Sequence, residues 1–148
     1  MVLSERKSRE EIIYKMPKQT QESVLKVVDD LEKRYGQAFY DTFKTITVDN
    51  GSEFLDFESL ERSIDQTIEH RTQLYYAHPF SSWERSTNEN SNKLIRRFIP
   101  KGTDIARFSK KTITKIQDWM NNYPRKIFDY KTANDMVNLE VNHQTQGV

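Results

Sequence analysis

Short runs rich in β-branched and aromatic residues alternate along this chain with stretches whose apolar residues recur every three or four positions. That alternation constrains the fold more than any other feature. The first pattern suits a pleated strand and the second an amphipathic helix. Strands interleaved with helices bury their apolar faces by stacking helices on a sheet, so the expected class is α/β with a mixed sheet flanked by helices. At 148 residues there is room for one such core. Eight Phe, seven Tyr and two Trp argue for a folded chain even though 30% of the residues are charged.

Taken in order, residues 2–3 and 12–14 are apolar segments around the charged ERKSREE, which reads as a hairpin ended by Met16-Pro17. Thr20 is placed to cap a helix carrying Val24, Val27, Val28 and Leu31 on its core face, with Gly36 as its stop. Residues 43–48 read as a strand that runs into Asp49-Asn50-Gly51. Asp, Asn and Gly are favoured in turns, and an Asx-type turn is the stronger local reading of that tripeptide. The functional reading puts Asp49 at the carboxyl end of a central strand, where open α/β sheets hold ligands. Phe54, Phe57, Leu60 and Ile64 have helical spacing, residues 73–77 read as a further strand, and Phe80 to Trp83 as a loop. Thr87 is the expected cap of the next helix. Ser109 opens a helix to about Asn121 with Ile113, Ile116 and Met120 turned to the core; Trp119 joins that stripe, and core is the stronger reading for it than ligand stacking. Thr132 opens a short last helix. The expected division is a domain over 1–141 and a polar, mobile tail over 142–148.

Composition excludes several chemistries. With no cysteine there are no disulfides, thiolate metal sites or cysteine nucleophiles, and His70, His78 and His143 lack metal-ligand spacing. No signal peptide or bilayer-length apolar run is present, so the expectation is a soluble cytoplasmic protein with no membrane partner and no small-molecule cofactor. A net charge of +1 exerts no global pull on nucleic acid, and any such binding must come from a local basic patch.

Residues 77–102, AHPFSSWERSTNENSNKLIRRFIPKG, supply that patch. At about 100° per residue on a helix, Lys93, Arg96 and Arg97 fall within roughly 80° of Glu89, with Leu94, Ile95 and Phe98 opposite. A carboxylate ringed by cations is, by itself, most simply a solvated ion-pair network.

Three stretches taken together carry more. ITVDNGSEF at 46–54, YYAHPFSSWERSTNENSNKLIRRFIPKGTD at 75–104 and NNYPRK at 121–126 resemble the catalytic core of bacterial insertion-sequence transposases of the insertion-sequence-thirty family, within the retroviral-type integrases. The resemblance runs from ERKSR to about Val137. It implies an RNase H-like fold and a DDE active site whose three carboxylates hold two Mg²⁺ or Mn²⁺ ions for DNA strand cleavage and strand transfer. Matched by motif, Asp49 is the second acid and Glu89 the third, Trp83 lies near the site, and Lys93, Arg96, Arg97 and Lys101 contact phosphates. The implied partners are insertion-sequence ends, target DNA and further copies of the chain.

The departures are specific. The first Asp of such enzymes lies on a strand before ERKSR, which would also be the centre of the sheet, and this chain begins after it. The expectation is an N-terminally truncated core that lacks its central strand, binds the metal weakly and has little or no activity. Glu5, Glu10 and Glu11 read as solvated surface acids that do not replace the missing ligand. Ser86 and Lys93 stand where relatives often have Gly, and Ala133 stands where a Pro is common. The alternative reading is a non-catalytic remnant that binds DNA or self-associates through exposed strand edges. An unrelated Mg²⁺ nuclease of the same fold class would keep the same carboxylates.

Overall fold

The structure is a computed structural model that describes residues 1–65, 68–78 and 82–145, with side chains throughout except at 82–88 and 140–145. The described chain divides into two compact units, one of residues 1–15 and 85 onwards, the other of residues 16–84.

In the unit of residues 16–84, α1 (Gln21–Tyr35) starts where Thr20 accepts a hydrogen bond from the Ser23 N–H and ends at Gly36, whose φ of 53° is a left-handed conformation that Gly takes without a Cβ penalty. Val24, Val27, Val28 and Leu31 are buried, as their spacing predicts. A short α2 (Ala38–Thr42) follows, not foreseen from the sequence, and buries Phe39 completely. Phe39 stacks on Phe43 at 4.8 Å, and Tyr35 meets Phe43 edge-on at 5.1 Å, so three aromatics close the core below the helix.

β3 (Thr45–Val48) alternates, with Ile46 and Val48 buried between more exposed threonines. It pairs in parallel with β4 (Gln73–Tyr76), in the register Thr45 to Gln73 through Val48 to Tyr76. A parallel pair needs a crossover. Here the crossover carries a 3-10 turn (Ser52–Phe54) and α3 (Phe57–Glu61). The expected helix from Phe54 to Ile64 is therefore broken. Asp56 accepts from the Ser59 N–H and starts a new helix, and Arg62 leaves it in extended conformation. Only Leu60 of the predicted stripe is buried, while Phe57 and Ile64 stay exposed.

In the other unit, β1 (Val2–Ser4) and β2 (Glu11–Ile13) form the expected antiparallel hairpin, with Val2 opposite Ile13. The connecting ERKSRE loop is organised by Glu5, whose carboxylate accepts from the backbone N–H of Lys7 and from the N–H and hydroxyl of Ser8. α5 (Lys110–Asn121) begins at Ser109, which accepts from the Thr112 N–H, and buries Ile113, Ile116 and Met120. α6 (Ala133–Thr145) starts at Thr132, where the Thr132 hydroxyl and the Asp135 carboxylate cap each other's backbone N–H. It runs past Asn142 to Thr145, longer than the short helix expected. α4 (Ser82–Ile95) begins earlier than predicted, which puts Thr87 inside the helix and not at its cap. No Gly or Pro interrupts residues 82–95, so nothing in the covalent chain obliges the helix to wait for Thr87.

Among the described residues the four strands thus make two separate two-stranded sheets where the sequence suggested one mixed sheet. β3 pairs with β4 and not with the hairpin. The class is α/β, with small sheets and predominant helix.

Candidate nucleic-acid interface and its carboxylates

Asp49 leaves the carboxyl end of β3, half-buried, and its Oδ1 accepts from the Gly51 N–H at 3.1 Å. That is the Asx turn that the local sequence favoured, at the carboxyl end of β3; among the described residues β3 belongs to a two-stranded sheet and is not the central strand that the functional reading expected. Asn50 Nδ2 donates to the Ala77 carbonyl at 3.2 Å and the Ala77 N–H donates to the Val48 carbonyl, so the loop is tied to the exit of β4. A Cβ at Gly51 would meet Glu53 Oε2 at 2.5 Å and Asp49 Oδ1 at 2.9 Å. Both carboxylates lie close to Gly51, and the Glu53 side chain would have to swing aside for any larger residue there. Glu53 was not singled out from the sequence, although its place four residues after Asp49 across a turn was the available signal.

Glu89 lies on α4, exposed, one turn before Lys93. It belongs to the unit that does not contain Asp49. Among the described residues no three His, Asp or Glu side chains converge to hold a metal ion. The two motif acids are hard oxygen donors of the type Mg²⁺ prefers, but the described residues do not assemble the three-carboxylate set of the resemblance.

Lys93, Arg96, Arg97 and Lys101 are all exposed. Among the described residues none of them forms an ion pair with Glu89, so the solvated ion-pair network is not what these side chains build. The helical wheel also stops short of Arg97. Its N–H bonds to the Leu94 carbonyl, a tighter i−3 turn, and Phe98 bonds likewise to Ile95. The Trp83 side chain lies outside the described ones.

Charge is segregated along the chain in a way that the net value of +1 hides. Residues 93–126 hold ten Lys and Arg (Lys93, Arg96, Arg97, Lys101, Arg107, Lys110, Lys111, Lys115, Arg125 and Lys126) against two acids, Asp104 and Asp118. This stretch is strongly cationic and the remainder of the chain is net acidic.

The clearest correction concerns Glu11. It is not solvated but completely buried on β2. Its carboxylate accepts from the Ser4 hydroxyl at 2.5 Å and from the Ser91 hydroxyl of α4. Its backbone N–H and carbonyl exchange hydrogen bonds with the Asn121 side chain at 2.8 and 2.9 Å. Burial pushes the Glu11 carboxyl above the ordinary glutamate range, and the two hydroxyls with the more distant Arg125 and Arg9 charges only partly offset it. Glu11 thereby ties the hairpin to α4 two residues after Glu89. Glu10 is half-buried and also raised, by burial first and then by the Glu5 charge.

No family model matches the chain. Curated relatives do. A transposase for insertion sequence element IS4351 from Bacteroides fragilis is 39% identical over 101 residues, covering 68% of this chain and 29% of the relative. A probable transposase for insertion-like sequence element IS1161 from Streptococcus salivarius is 33% identical over 94% of this chain and 36% of its own length. Transposase InsI for insertion sequence element IS30A from Escherichia coli K12 is 31% identical over 91% of this chain and 33% of its own length. The matched region spans about a third of each of these relatives. No described helix is long and apolar enough to cross a membrane.

Proposed function

We propose that this chain, similar over most of its length to IS30-family and related insertion-sequence transposases, is a DNA-gripping catalytic-core segment of such an enzyme, acting in DNA transposition. The observation that carries the reading is the cationic stretch 93–126, with Lys93, Arg96, Arg97 and Lys101 exposed on α4 and the turns after it. Cations so placed neutralise backbone phosphates and hold DNA without reading its sequence. Insertion-sequence ends and target DNA are the partners this implies.

The chemistry of the reading falls to Asp49 and Glu89. Asp49 sits where an α/β strand hands its carboxylate to the ligand side of a sheet. Glu89 sits one turn before the first of the phosphate-binding cations, so a backbone held by Lys93 and Arg96 passes close to its carboxylate. A divalent metal such as Mg²⁺ or Mn²⁺ held by these acids would polarise the scissile phosphate and activate a water or 3′-hydroxyl. The RNase H-like arrangement and the DDE assignment belong to this proposal. With two motif acids and no third among the described residues, metal affinity is expected on the order of millimolar at best, with little or no nicking by this chain.

The test is fluorescence anisotropy on a duplex oligonucleotide. Substituting Arg96→Ala and Arg97→Ala together is expected to weaken binding by about tenfold at low salt, since each phosphate contact contributes through counterion release. Unchanged affinity would remove these cations from the interface.

Self-association is the second reading. β4 leaves Tyr75 and Tyr76 exposed at 48% and 38%, beside a strand pair that has no third partner among the described residues. Sedimentation equilibrium decides it: a strict monomer at high concentration ends the edge-pairing argument.

A further inference from the structure

Three aromatic rings gather at the cationic end of the unit that contains Glu89. Trp119 projects from α5, half-buried. Phe98 meets it edge-on, with ring centroids 4.8 Å apart at 71°, and Tyr123 leans on it at 4.9 Å and 42°. The backbone delivers all three. Phe98 is presented by the tight turn that ends α4, in which its N–H bonds to the Ile95 carbonyl. Tyr123 is presented by the reversal after α5, in which its N–H bonds to the Met120 carbonyl, and Pro124 prevents the helix from continuing.

A cluster of this kind in a core would be sealed, as Phe39 is in the other unit at 0% exposure. Here Phe98 and Tyr123 remain 39% and 36% exposed. The rim is basic: Arg97 adjoins Phe98, Lys115 lies one turn before Trp119 on the same face of α5, and Lys126 follows Tyr123 by three residues. Asp118 is the one acid next to the rings in sequence, and it projects about 100° round the helix from Trp119. Protein interfaces deplete Lys around their aromatic centre. Aromatic faces bordered by Lys and Arg are instead the composition that holds an unpaired nucleic-acid strand, with bases stacked on rings and phosphates on the cations.

We infer that Trp119, Phe98 and Tyr123 form a stacking platform for unpaired DNA bases. The inference rests on the reading that stretch 93–126 grips DNA and adds a preference that phosphate contacts cannot supply. A continuous duplex keeps its base faces stacked inside the helix, so the rings can be reached only by a single strand or an opened end.

The experiment compares three probes by anisotropy with the full chain: a blunt duplex, the same duplex with a single-stranded overhang, and a single-stranded oligonucleotide. Wild type is expected to favour the probes with unpaired bases. Trp119→Ala should weaken those two by about tenfold and the blunt duplex by less than about twofold, in line with one lost stacked base. Trp119→Phe, which restores a ring, should recover most of the loss. Tyr123→Ala, at a more exposed position, should show the same selectivity at about fivefold and carries the test if Trp119→Ala does not fold. Equal loss on all probes, or no preference for unpaired bases while the blunt duplex is bound normally, overturns the platform and leaves the DNA reading intact. Failure to bind any probe overturns both. A dimer that Trp119→Ala disrupts without altering DNA affinity assigns the rings to a protein contact and overturns the platform.

Discussion

Among the described residues each unit of the molecule buries one glutamate, and the two are handled in opposite ways. Glu32 on α1 is 6% exposed and Glu11 on β2 is 0% exposed. Glu32 meets a full positive charge: Arg71 Nη1 lies 2.8 Å from its carboxylate, and Ser63, Tyr40 and the Ile64 N–H complete the shell. Arg71 also donates to Asp29 at 2.6 Å and to the Leu60 and Ser59 carbonyls. Glu11 is met by hydroxyls, with Arg125 and Arg9 acting only from a distance. Burial alone would raise both carboxyls. In Glu32 the hydrogen bonds from Ser63, Arg71 and Tyr40 win and hold it below the ordinary glutamate range; in Glu11 burial wins. Burial works against the charge at both sites; at Glu32 the hydrogen bonds, that of Ser63 first and then those of Arg71 and Tyr40, outweigh it, and at Glu11 the two hydroxyls do not.

The largest effect that would break this comparison is Arg71→Ala. It leaves Glu32 and Asp29 facing an empty site, and chemical denaturation should show a loss of about 3–5 kcal/mol, as for other buried pairs stripped of one partner. A loss under about 1 kcal/mol would mean that the pair is not the lock of its unit. Next is Ser91→Ala, which removes one of the two hydroxyls on the Glu11 carboxylate and should cost about 1–3 kcal/mol. The pH dependences then separate the two sites by sign. Glu11 binds its proton more tightly when folded, so its contribution is complete below the ordinary glutamate range and is lost as pH rises through its raised value. Glu32 binds its proton less tightly when folded, so its contribution is present above that range and is lost as pH falls through its lowered value. Glu11→Gln should flatten the first slope and Glu32→Gln the second, read from melting temperature against pH. Slopes of the same sign would refute the contrast. The smallest expected effects are the cap substitutions Thr20→Ala and Ser109→Ala, at about 1 kcal/mol each, which give a baseline for a single lost hydrogen bond in either unit.

The helices with good caps and a clean apolar period are legible in the sequence alone. Thr20 with Gly36, Ser109 and Thr132 mark real helix ends because the capping oxygen and the stop residue are local chemistry. The strands at 45–48 and 73–76 were legible from β-branching and aromatics, but their pairing was not, since register and partner are set by contacts distant in sequence. The Phe54–Ile64 stripe misled because Asp56 satisfies a cap in the middle of an apparently continuous period. Glu11 misled more: within ERKSREE it is one charge among many, and its burial depends on Ser91 and Asn121, 80 and 110 residues away. Of the site, the Asp49 turn and the exposed cations could be read directly. The approach of Glu53 and Asp49 to Gly51 and the gathering of Phe98, Trp119 and Tyr123 depend on how turns present side chains, which periodicity does not encode.

The central claim is that the cationic stretch after Glu89 holds DNA through its phosphates, and the salt dependence of duplex binding tests it most directly. If Lys93, Arg96, Arg97 and Lys101 each neutralise a phosphate, log affinity should fall against log salt with a slope of about −3 to −4 between roughly 50 and 200 mM, and the Arg96→Ala/Arg97→Ala variant should lose about two units of that slope. A flat salt dependence, or a slope that the double variant leaves unchanged, would contradict the account.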